Sequence, residues 1–193
     1  MKRLVFLSLL FTLAAFVSAQ SLTGRQIMEL SDQVPEPETS SYTATMTLTG
    51  KNGKNRIRQV SMKSKDYGDV EKTLIVFTTP KDVAGVAYLT FDYDDSSKDS
   101  DSWLYMPAMK KVRRIAGSSK GDDFMGTDFT YEDIGDDRKL DDYTYKLLGE
   151  EKVEGIDCFM VECIAKDSSK KNPRCIMWIG KENFMLYHAE FFI

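Results

Sequence analysis

The chain has one histidine and three cysteines in 193 residues. A Ser-His-Asp site would have to be built on that one residue, His188. It stands between Tyr187 and Ala189 in a strand-like segment, where a histidine is ordinarily structural. The cysteines, Cys158, Cys163 and Cys175, lack the Cys-x-x-Cys spacing of a zinc site. Asp92, Asp94 and Ser96 start like a calcium loop, but Ser97 and Trp103 stand where glycine and glutamate are needed. Gly117-Ser118-Ser119-Lys120-Gly121 lacks the order of a phosphate loop, and Asp122 and Asp123 behind it would repel a phosphate. No catalytic residue, metal or cofactor is expected.

Long apolar runs are also missing. After the N-terminus no segment approaches the roughly 20 apolar residues that a spanning helix needs. Residues 1–19 read as a secretory signal: Lys2 and Arg3, an apolar run from Leu4 to Phe16, and small residues before a cut after Ala19. No cysteine follows that cut, so no lipid anchor is expected there. Residues 20–193 then form one exported domain. Removing Lys2 and Arg3 takes the formal charge from −4 to about −6. Such a chain is a poor non-specific binder of nucleic acid. The acids gather in three stretches, Asp92 to Asp101, Asp122-Asp123 and Asp133 to Asp142, which read as solvated loops. Export permits a disulfide, yet an odd cysteine count leaves at least one thiol free. Cys158 and Cys163 point to opposite faces of a strand. Cys163 and Cys175 flank a turn near Lys166–Pro173, so either a bond between them or buried free thiols fits, the free thiols better.

A short helix opens the mature chain. Thr23 and Gln26 have the spacing of a capping box, Ile27, Met28 and Leu30 give an apolar side, and Pro35 and Pro37 end it. From Ser41 the period becomes two: Tyr42, Ala44, Met46 and Leu48 alternate with threonines. A three-residue turn, Lys51-Asn52-Gly53 with Gly53 left-handed, is expected to set Met46 opposite Val60 and Ala44 opposite Met62. Further strands are expected at Lys72–Thr78, Val86–Tyr93, Ser102–Met106, Lys111–Ile115, Tyr143–Glu150, Cys158–Ala165, Arg174–Ile179 and Phe184–Phe191. Many short strands with regular turns indicate an antiparallel sandwich or barrel.

The stretch from Trp103 to Asp133 carries the most information. An aromatic strand is followed by a Pro turn and four bases, Lys110, Lys111, Arg113 and Arg114. They read either as a solvated strand edge or as a patch for an acidic partner or anionic headgroup. The mature chain is also rich in Met, which suits both core filling and promiscuous apolar ligands. Phe124-Met125-Gly126 follows a very polar run, and an apolar pair there could cover a cavity or dock on a partner.

Leu104-Tyr105-Met106-Pro107, Lys111-Val112-Arg113-Arg114-Ile115 and Phe124-Met125-Gly126-Thr127-Asp128-Phe129-Thr130-Tyr131-Glu132-Asp133 carry a resemblance. Together with Thr78-Thr79-Pro80-Lys81-Asp82-Val83-Ala84-Gly85 and Gly155-Ile156-Asp157-Cys158, they resemble the LolA-like outer-membrane lipoprotein-sorting proteins. The likeness runs from about Ser41 to the C-terminus. It implies a mainly β fold, an unclosed antiparallel half-barrel with a short N-terminal helix and covering loops. It also implies a periplasmic carrier whose concave apolar face holds lipid or lipoprotein acyl chains, for transfer to or across the outer membrane. Some relatives are associated with transporters of the resistance-nodulation-division type, so such a transporter or an outer-membrane acceptor is the implied partner. Membrane contact would be peripheral at most. Family members usually continue with further strands beyond the position of Ile193.

In such a half-barrel Met46, Val60, Met62, Ile75, Phe77, Leu89, Phe91, Trp103 and Tyr105 are expected to face the apolar interior. Lys110, Lys111, Arg113, Arg114, Phe124, Met125 and Phe129 are expected at its rim or on a partner. A sensor or partner-binding module on the same scaffold is the alternative, and an enzyme using His188 or a structural envelope protein stand behind it.

Overall fold

The computed structural model describes residues 21–95, 97–135 and 138–192. The expected signal peptide, Ser96 of the calcium-like loop and Ile193 lie outside these residues. The first helix, α1 (Gly24–Asp32), has the expected capping box: Thr23 accepts from the Gln26 amide, and the Gln26 side chain accepts from the Thr23 amide. Ten strands follow, β1 (Thr39–Thr49), β2 (Asn55–Asp66), β3 (Val70–Thr79), β4 (Ala87–Tyr93), β5 (Asp101–Met106), β6 (Lys111–Ile115), β7 (Tyr143–Val153), β8 (Ile156–Ala165), β9 (Arg174–Gly180) and β10 (Leu186–Phe192). A five-residue helix, α2 (Tyr131–Gly135), and short 3₁₀ turns lie between β6 and β7.

The strands form two antiparallel sheets, β1 to β6 in sequence order and β10-β9-β8-β7. No ladder joins the two sheets among the described residues, so the barrel is not closed. Each sheet has its own apolar core. The larger buries Val60, Ile75, Phe77, Tyr88, Leu104 and Ile115 beneath the segment that carries Phe124 and Tyr131. The smaller buries Val161, Cys163, Cys175, Met177 and Ile179 against Ile27 of α1. Helix and sheet approach closely because Gly24 has no side chain; a Cβ there would lie 2.8 Å from the β7 backbone.

The β1–β2 hairpin keeps its expected loop, with Gly53 at φ 74° and Gly50 N–H donating to Lys54 O at 2.9 Å. Its pairing differs by two residues from the expected one. Met46 faces Arg58, Ala44 faces Val60 and Tyr42 faces Met62. A three-residue loop closed between Gly50 and Lys54 requires this count. A shift of two preserves the pleat, so the apolar residues still share one face.

The segment 117–135 closes the larger sheet from the inside. Phe124 is 1% exposed and meets Phe77, Tyr88 and Tyr131 at centroid distances of 5.9, 5.3 and 5.4 Å. Arg58 Nη1 donates to Met125 O at 2.7 Å, which holds the left-handed turn at Met125. Thr130 and Asp133 cap α2 reciprocally: Thr130 N–H and Oγ1 donate to Asp133 Oδ2, and Asp133 N–H donates back. Phe124→Ala should cost about 3–5 kcal/mol, because it leaves a cavity among three rings. Urea unfolding followed by circular dichroism measures it; a loss below about 1 kcal/mol would mean that the segment is not part of the core.

Candidate functional site

A solvent-open cavity of about 700 Å³ lies between α1, one end of the larger sheet and the inner face of the smaller sheet. This size falls within the roughly 300–1,000 Å³ of small-molecule sites. Its apolar side is built from Met28, Leu140, Tyr143, Tyr145, Cys163 and Met177. Its opposite side is acidic, with Asp66 on β2, Glu71 on β3 and Asp92 on β4 standing side by side across three paired strands. Asp32, Glu36 and Asp94 extend that acidic rim.

Arg138 lines the cavity and is held by the smaller sheet. Its Nη1 donates to Cys175 Sγ at 2.9 Å, and its guanidinium lies 5.2 Å from the Tyr143 ring centre and 4.7 Å from that of Phe191. Burial works most strongly against its charge, but Cys175, Tyr143 and Cys163 together outweigh burial and hold its pKa above the ordinary value. Cys163 and Cys175 are direct partners on β8 and β9, and both are buried free thiols. The hydrogen bond between them draws the Cys175 thiol down to about 7; burial opposes this and Arg138 assists it. Cys163 is pushed up by the same hydrogen bond and by burial. Burial also raises Tyr145, whose hydroxyl donates to Leu140 O at 3.1 Å.

None of the nine residues expected in the interior lines this cavity. Val60, Ile75 and Phe77 are core, with Met46 and Met62 packed against them under the Phe124 segment. Leu89, Phe91, Trp103 and Tyr105 need correction: they lie on the opposite, outward face. The inward residues of β4 and β5 are Tyr88, Thr90, Ser102 and Leu104, at 0%, 4%, 0% and 4% exposure. Both faces of these strands carry apolar residues, so alternation could not choose between them. The aromatic cover on one side chose.

The expected rim also divides. Phe124 is core rather than rim, and Met125 is half-buried beside it. Phe129 meets Phe191 edge to face at 5.2 Å and so bridges the cover to the smaller sheet. Lys110 occupies a left-handed turn. Lys111 and Arg113 pair with inward positions, whereas Arg114 pairs with outward Trp103 and forms a salt bridge with Asp101. The four bases therefore do not form one patch. His188 is exposed, 3.4 Å from Glu190 and tilted against the Trp178 ring. Met28, Tyr143, Tyr145 and Met177 were not expected in a cavity from sequence, although Tyr143, Tyr145 and Leu147 alternate as a half-buried strand should.

This architecture has known counterparts. A DUF1329 family protein from Desulfovibrio piger is similar with a TM-score of 0.71 and 36% identity, over 88% of this chain and 72% of that one. An outer membrane lipoprotein-sorting protein domain from Vibrio parahaemolyticus gives 0.69 and 31%, over 88% of this chain and 71% of that one. The chain belongs to this lipoprotein-sorting family. A LolA superfamily protein from Nitrosomonas europaea shares the fold, with a TM-score of 0.52 and 22% identity over 89% of this chain and 72% of that one. A family model described only as an uncharacterized protein matches residues 69–193. No curated protein matches the chain. For this LolA-like fold the open cavity is formed on the smaller sheet, and the larger sheet is filled by its own cover.

Arg138→Met should move the Cys175 thiol from about 7 toward its ordinary 9.0, because the stabilising cation is removed. Thiolate absorbance against pH reads this directly, and an unchanged midpoint would show that the cation does not act on the thiol.

Proposed function

We propose that the protein is a periplasmic carrier that binds lipid or lipoprotein acyl chains in the cavity between its two sheets. The observation that carries this reading is the cavity itself: about 700 Å³, open to solvent, with an apolar side of Met, Leu and Tyr residues in an unclosed β fold. Met28 and Met177 have flexible unbranched side chains that can repack around a disordered chain. Burial supplies affinity at about 0.8 kcal/mol per CH₂ and asks for no catalytic group. Membership of the lipoprotein-sorting family supports the same ligand class. Delivery to an outer-membrane acceptor, or exchange with an inner-membrane transporter of the resistance-nodulation-division type, belongs to the same proposal. Because Phe124 is core, a Phe124-Met125 docking loop offers little support for the sensor alternative.

The test is lipid extraction. Protein purified from its native host should release acyl lipid into organic solvent, detected by mass spectrometry, and the stripped protein should take up a fluorescent acylated probe. Met28→Glu puts a charge on the apolar side and should weaken probe binding about tenfold or more, equivalent to about 1.4 kcal/mol. Absence of both native lipid and probe binding would overturn the carrier reading.

A further inference from the structure

The outward face of the larger sheet is amphipathic in its own right. Its central residues are Leu74 and Val76 on β3, Leu89 and Phe91 on β4, Trp103 and Tyr105 on β5, and Val112 on β6. Strand pairing places them side by side: Leu74 opposite Leu89, Leu89 opposite Trp103, and Tyr105 opposite Val112. None belongs to either apolar core. Leu74, Tyr105 and Val112 are 36%, 38% and 64% exposed. Phe91 and Trp103 stack edge to face at 4.9 Å, so the patch is built as a continuous surface.

Cations border this patch. Lys63 pairs with Leu74, Lys65 with Lys72, and Lys72 with Phe91, all on the outward face. The Lys72 ammonium lies 4.4 Å from the Phe91 ring centre and 4.5 Å from that of Tyr67, and Lys65 lies 5.0 Å from Tyr67. Lys63, Lys65 and Lys72 make no ion pair among the described residues. Arg114 stands on the far side, paired with Asp101, the one acid on the outward face of β4 to β6. The opposite face of the same strand ends bears Asp66, Glu71 and Asp92. At these ends of β2 to β4 the sheet therefore sorts its charge, acids toward the cavity and lysines outward, in a chain whose formal charge is −4.

We propose that this outward face docks the protein on an anionic lipid surface. A patch with Trp and Tyr at its centre and lysines at its border matches the two layers of a membrane interface. Aromatic rings favour the headgroup level, and lysines are drawn to anionic headgroups within a Debye length. Charge complementarity favours a lipid surface over a second copy of the chain, since the acid this face offers, Asp101, is already held by Arg114. The proposal does not rest on the cavity carrying lipid.

The test uses the protein with vesicles of phosphatidylcholine alone and of phosphatidylcholine mixed with phosphatidylglycerol. It should sediment with the mixed vesicles, leave the neutral ones in solution, and be released by high salt. The combined variant Lys63→Glu, Lys65→Glu, Lys72→Glu should lose at least tenfold in vesicle affinity while keeping its circular dichroism spectrum. Trp103→Ser should also weaken binding. Met28→Glu, altered only in the cavity, should bind vesicles as the parent does, so loss of acyl-probe binding and loss of docking are separate results. Indifference to both vesicle types would overturn the proposal in favour of an acidic protein partner. Concentration-dependent dimerisation abolished by Trp103→Ser, without vesicle binding, would overturn it in favour of self-association. Equal binding by the triple lysine variant would overturn it outright.

Discussion

The Phe124 ring, seated among Phe77, Tyr88 and Tyr131, is the contact on which the rest of the architecture depends. It defines the inward face of the larger sheet. The covering segment that carries it then reaches the smaller sheet by several bonds. Lys170 and Lys171, beyond β8, pair with Glu132 and Asp123. Asn172 donates to Asp128 O and to Asp133 Oδ2, and Phe129 meets Phe191 edge to face. Since no ladder joins the sheets among the described residues, this segment ties them together. Exposed ion pairs contribute little singly, so the aromatic contacts hold the tie and the polar ones orient it.

Filling one sheet leaves the other available. A half-barrel with one continuous concave surface would expose a large apolar area with nothing to cover it. Here the larger sheet spends that area on its own core, and the cavity opens between α1, the inner face of the smaller sheet and one end of the larger. The result is a site with an apolar wall on one side and a row of acids on the other. Such a site can bury a hydrocarbon chain while its mouth stays wet. The same strands that send acids inward send lysines outward, so the two faces of one sheet meet different environments.

Much of the fold was legible in the sequence. The Thr23 cap, the threonine alternation of β1, the strand series and the left-handed Gly53 all follow from local rules, and each is present. The lipoprotein-sorting family was legible too, chiefly from Leu104 to Asp133 with the motifs at Thr78–Gly85 and Gly155–Cys158. Pairing of the first hairpin was legible only to its parity, because a two-residue shift leaves every side chain on the same face. The candidate site was largely illegible. Leu89, Phe91, Trp103 and Tyr105 have the period of a buried face, and so do Tyr88, Thr90, Ser102 and Leu104 beside them.

Sequence by itself determined the strands and the chemistry of each face, since these depend on neighbours two to four residues apart. It also determined that no second histidine could support the first. Only the tertiary structure decided which face is covered, that Phe124 is core rather than a flap, and that Cys175 meets Arg138. Those outcomes depend on segments tens of residues apart competing for the same apolar surface. Alternation records that a strand has two faces, and packing alone decides which one faces the cavity.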